Sequence, residues 1–195
     1  MIAAFVEAIN DLTLPCSLTL LIPGVAASLA ARARAVAVAL SAFGGMAAIG
    51  WLRVTDQIPA NLTVWVAAGV GFLVLISFGA LYSPRTRTAQ RVTAGAVIGA
   101  AAAAIWTPCV GEELGVILNT GPDDPLGVLL PFIAFVAGIN LVALAIALAR
   151  VALEPPARVS KVLSITGTAA GVAVALLLGS GLYSDVVARL VIWSL

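Results

Sequence analysis

Apolar runs long enough to cross a bilayer leave little of this chain for anything else. Between short breaks that carry charge or proline, stretches near 12–31, 35–52, 62–82, 92–118, 126–149 and 162–183 approach the roughly twenty residues that a helix needs to span the hydrocarbon. Hydrophobic residues make up 62% of the 195 and charged residues only 10%, more apolar surface than a single water-soluble core can hide. Backbone polar groups in lipid must be satisfied internally, and the alternating pattern of barrel strands is absent. The expected fold is therefore all-α: a polytopic membrane protein with six transmembrane helices in one membrane domain over residues 1–195.

Charge sorts the breaks. Arg32 and Arg34, then Arg85, Arg87 and Arg91, then Arg150, Arg158 and Lys161 fall in alternate breaks, whereas the remaining breaks and ends carry Arg53 and Arg189 with Glu7, Asp11, Asp56, Asp123, Asp124 and Asp185. The excess of Lys and Arg on one side predicts that the three basic loops are cytoplasmic and both termini extracytoplasmic. Residues 1–11 lack the positive start of a signal peptide and are expected to be retained. A net charge of +1 with no histidine argues against nucleic-acid binding and against imidazole chemistry. Trp51, Trp65 and Trp193 fall near span ends, where indole rings anchor at the interface, and are assigned no function.

Two proline-cysteine steps stand out, Pro15-Cys16 in the first span and Pro108-Cys109 in the fourth. Each proline removes a donor and clashes with the carbonyl four residues back, at Asp11 or Ala104, so each helix should break or kink just before its cysteine. Pro23, Gly24 and Gly111 add weak points near the two thiols. Breaks at corresponding places suggest two halves of inverted topology, 1–83 and 84–195, each of three helices. Gly95 and Gly99, Gly111 and Gly115, and Gly167 and Gly171 have the spacing of close helix contacts.

Thr107 and Pro108 also read as a helix start, with Thr107 as N-cap and Pro108 at the first helical position. Cys109 then lies in a first turn, where the dipole favours a thiolate. Glu112 and Glu113 follow three and four residues later, as acceptors for a thiol proton or as solvated groups near the outer surface. A straight helix from Arg91 to Cys109 would rise about 27 Å, which puts that sulfur in the outer half of the bilayer.

On these residues the chain resembles the CcdA family, the six-span relatives of the DsbD membrane domain. The likeness lies in Leu14-Pro15-Cys16 followed by Ile22-Pro23-Gly24, and in Trp106-Thr107-Pro108-Cys109-Val110-Gly111. Two stretches depart from the family pattern: Glu112-Glu113, where a proline usually follows, and the fifth span, which carries Asn140 and lacks the usual Pro-Phe. The resemblance implies that Cys16 and Cys109 form a reversible disulfide, reduced by cytoplasmic thioredoxin. Electrons would pass to an extracytoplasmic thioredoxin-like protein serving cytochrome c maturation or disulfide repair, across the cell membrane and without cofactor or metal. A transporter of a soft metal ion or small solute, using the cysteines with Glu112 and Glu113, is the alternative expectation. A structural subunit with inert thiols is the third.

Overall fold

The computed structural model describes residues 2–10, 15–58, 64–83, 85–105 and 112–180, with Leu182 and Arg189. Side chains at 15–19, 33, 64–65, 112–114 and 178–179 are outside that description. Among the described residues eight α-helices follow one another: α1 (Ile2–Asn10), α2 (Pro15–Ala30), α3 (Ala35–Val54), α4 (Val64–Tyr82), α5 (Thr88–Ile105), α6 (Glu112–Thr120), α7 (Pro125–Ala152) and α8 (Ala157–Gly179). A 3₁₀ turn over Arg32–Arg34 joins α2 to α3. Among the described residues there is no strand. Four helices, α3, α5, α7 and α8, are long and apolar enough to cross a membrane, and the described parts of α2 and α4 are shorter apolar helices.

The six apolar stretches of the sequence overlap helices α2 to α8, four of which are long and apolar enough to span a membrane, and α1 is missed. Residues 2–10 are a helix in their own right because Ala4 and Ala8 are fully buried. There α1 lies against α7 at Gly138, where an added Cβ would meet Ala8 Cβ and the Phe5 carbonyl. The fourth expected span is two helices, α5 and α6, on either side of residues 106–111, which lie outside the described residues.

Small residues set the spacing of the bundle. The broadest contact joins α3 and α5. Gly99 abuts the backbone of Ala42, Gly95 that of Val38, and Gly45 that of Ala96, so no side chain fits between the helices. Val38 with Gly95, Ala42 with Gly99 and Gly50 with Ala103 rise together, so α3 and α5 run parallel. Against α7 the direction reverses: Met46 bonds Asn140, whereas Gly50 lies under the Phe132 ring. On the other flank α8 packs on α2 and α4. Ser164 donates to the Ala30 carbonyl at 3.1 Å, and Gly171 receives the ring of Phe78.

With these directions the starts of α3, α5 and α8 and the ends of α2 and α7 share one end of the bundle, so the three arginine-bearing loops gather there. Asp56, Asp123 and Asp124 lie toward the opposite end, where Gly121 abuts Val54. Asp124 caps α7 by accepting from the Gly127 N–H at 3.1 Å, with Pro125 at the first position, where its missing N–H is not needed. Outward-facing Phe72, Leu130 and Leu176 are each more than 60% exposed, the surface expected of helices that meet lipid rather than water.

Candidate functional site

Helix α1 is described to Asn10 and α2 from Pro15, and residues 11–14 lie outside the described residues. Pro15 is the first helical residue, so its missing N–H falls among the groups that have no intrahelical partner anyway. Cys16 is thereby in the first turn of α2; its side chain lies outside the described ones. Thr107, Pro108, Cys109 and Gly111 lie outside the described residues, as do the side chains of Glu112 and Glu113, whose backbone opens α6.

Between Pro15 and Ala30 the helix is continuous and contains Pro23. Pro23 and Gly24 therefore do not break it. Both are buried, and Gly24 leaves room for α7: an added Cβ there would lie 3.5 Å from Ala143 Cβ and 3.8 Å from Asn140 Oδ1. The Gly24 carbonyl accepts a bond from Ser28 Oγ at 2.9 Å.

One cluster includes residues from both sides of 106–111. Leu20, one helical turn after Cys16, is 2% exposed and belongs to the same buried group as Ala102 and Ala103 at the end of α5, Ile117 of α6, and Phe132 and Phe135 of α7. Helices α5 and α6, on either side of residues 106–111, thus both contribute to the cluster that takes in Leu20, and α5 packs on α2. A small void of about 10 Å³ lies between Leu20, Met46, Gly50, Ala103, Phe132 and Phe135. Trp51 leans on Phe132 with ring centroids 5.8 Å apart.

Arg53, in the last turn of α3, reaches the end of α5. Its Nη1 donates to the carbonyls of Ala103 at 2.9 Å and Ala104 at 3.0 Å. Pro108 has no N–H with which to bond the Ala104 carbonyl, so a helix running through it would leave that acceptor empty. The guanidinium supplies the donor instead, with five N–H groups and no need to deprotonate. Asn140 is 8% exposed. Its Nδ2 donates to the Val136 carbonyl at 2.9 Å and approaches Met46 Sδ at 3.1 Å.

No protein-family model, curated protein or solved structure matches the chain. The residues and their geometry therefore carry the functional reading alone.

Sequence reasoning counts Arg53 only as a charge on the acidic side and passes over Met46. The available signal was a lone arginine ending an apolar run on the side otherwise populated by aspartates. Its partner could be found only by knowing that α3 and α5 are parallel neighbours. Among the described residues no group of three or more His, Cys, Asp or Glu side chains gathers.

Proposed function

We propose that the chain is a membrane thiol-disulfide electron carrier in which Cys16 and Cys109 form a reversible disulfide. The observation that carries this reading is the cluster of Leu20 with Ala103 and Ile117. The same cluster contains a residue one turn after Cys16 and residues of the helices on both sides of Cys109. Helical spacing puts positions 16 and 20 on one side of α2.

In the cycle a thiolate of reduced cytoplasmic thioredoxin attacks one sulfur of the Cys16–Cys109 bond. That bond breaks, a mixed disulfide forms, and the other cysteine leaves as a thiolate that takes up a proton. The second thioredoxin thiol, losing its proton, attacks thioredoxin's own sulfur in the mixed disulfide, leaving oxidised thioredoxin and a chain with two thiols. The same two exchanges, run against the disulfide of an extracytoplasmic thioredoxin-like protein, restore the Cys16–Cys109 bond. Two electrons and two protons pass in each cycle. Arg53 is a positioning residue in this scheme, holding the end of α5 while the segment beyond it carries Cys109.

The same reading takes the chain as six spans in two inverted halves. Pro15 and Pro108, Cys16 and Cys109, and Gly45 and Gly138 are each 93 positions apart. The two glycines have equivalent tasks, Gly45 receiving α5 and Gly138 receiving α1. Phe78 and Gly171, also 93 apart, touch each other, as residues exchanged by a twofold axis must when they lie beside it. One helix contact has its counterpart under the same offset: α3 lies on α5 as α7 lies on α1. Inverted repeats of this kind place a central site where the halves meet, at their interrupted helices. The positive-inside rule then puts the arginine-bearing end in the cytoplasm.

The test is a Cys16→Ser and a Cys109→Ser variant, each expressed in cells and trapped with acid. One of the two is expected to accumulate a dithiothreitol-sensitive adduct with a soluble protein of the thioredoxin type. Wild-type electron transfer in both variants, with no adduct in either, would contradict the proposal.

A further inference from the structure

At the end of the bundle that gathers the basic loops, two arginines face each other without a counter-charge. Arg150, in the last turn of α7, is 7% exposed. Its Nη2 donates to the Ser160 carbonyl at 3.1 Å and approaches Ser160 Oγ at 3.4 Å. Its Nε and Nη1 are buried with no hydrogen-bond partner, as is the Nε of Arg32. The two guanidiniums are near enough to repel. Both border a cavity of about 250 Å³, together with Val151, Glu154, Pro155 and Ser160.

Leaving the N–H groups of a charged side chain buried and unmatched is costly, more so beside a second cation. Glu154 does not settle the imbalance. It is exposed, and among the described residues no ion pair links it to either arginine. Left-handed backbone at Arg32 (φ 52°) and Glu154 (φ 40°) turns the two loops around the cavity. What the pocket lacks is an acceptor with several oxygens and negative charge, which guanidinium forks match in shape as well as sign.

We infer that the cavity between Arg32, Arg150 and Ser160 binds a phosphate-type oxyanion, either the headgroup phosphate of an anionic phospholipid or free phosphate. It lies at the bundle end, between the last turn of α7 and the first turn of α8, where a headgroup would meet it without leaving its leaflet. The site is independent of the cysteines.

The full chain, purified in a neutral detergent, is titrated with inorganic phosphate and followed by thermal unfolding. In parallel it is reconstituted in phosphatidylcholine vesicles with and without phosphatidylglycerol, and retained lipid is measured by mass spectrometry. At least one probe should bind, and Arg32→Gln and Arg150→Gln should each weaken that binding about tenfold or more, the effect of one lost charge-assisted bond. Arg158→Gln, which removes an exposed charge from the same loops, should change it less than twofold. Phosphate binding assigns the site to the free anion. Phosphatidylglycerol retention without phosphate binding assigns it to the headgroup. Should Arg150→Gln fail to fold, Arg32→Gln alone decides. Binding of neither probe, or an Arg158→Gln loss as large as that of Arg32→Gln, overturns the inference.

Discussion

At position 53 a permanent charge is bonded to two backbone carbonyls at the end of a helix. A bond of this type to a charged donor contributes about 1.5–3 kcal/mol. Arg53→Met should therefore lower the stability of the detergent-solubilised protein by about that amount, whereas Arg34→Met, at an exposed position, should leave the unfolding temperature unchanged. Asn140 gives the opposite expectation. Its amide bonds a carbonyl already used within α7 and a thioether, a weak acceptor, so Asn140→Leu orphans nothing that needs a partner. Its cost should stay below about 1 kcal/mol in the same unfolding assay, since removing a polar group without stranding its partner is close to neutral. The proline rule identifies Ala104 as an acceptor in need. That Arg53 answers it depends on a neighbour 51 residues away in sequence, which no local pattern encodes.

For the helices, close approach through glycine decides which faces meet. Gly99 stands against the backbone of Ala42, whereas nothing lies near Gly79. Gly99→Leu should force α3 and α5 apart and cost at least the 1–3 kcal/mol, roughly, of an overpacked core. Gly79→Ala should be neutral or stabilising by up to about 1 kcal/mol, as glycine-to-alanine changes in helix interiors are. Equilibrium unfolding of both variants separates the two. The small-residue spacing of Gly95 and Gly99 and of Gly167 and Gly171 is visible in the sequence, and both pairs do serve as contact faces. Gly45 and Gly50 lack that regular spacing, and their use follows only from the parallel course of α5 and the ring of Phe132. Helix α1 escapes detection for a related reason. Nine residues are too few to span the hydrocarbon, and α1 is held by Ala4 and Ala8 against α7 rather than by its own hydropathy.

For the molecule as a whole, apolar runs and loop charges make the helix order and the grouping of basic loops legible from sequence. The proposed twofold relation is legible only in part: the proline-cysteine steps carry the 93-residue offset, but the contact of Phe78 with Gly171 needs the packed bundle. That pairing predicts that Phe78→Cys with Gly171→Cys cross-links within one chain on mild oxidation, in a background with Cys16 and Cys109 replaced by serine. Migration of that variant on a non-reducing gel reads the bond, and absence of any cross-link would contradict the twofold arrangement. The electron-carrier reading stands or falls on the two native cysteines. Acid trapping of cells followed by alkylation with a mass-tagged maleimide counts their free thiols. In cells with active cytoplasmic thioredoxin the wild-type chain should take up two tags, and in cells lacking it none, with both tags recovered after dithiothreitol. Two tags under both conditions would mean that Cys16 and Cys109 never pair, and would contradict the proposed function.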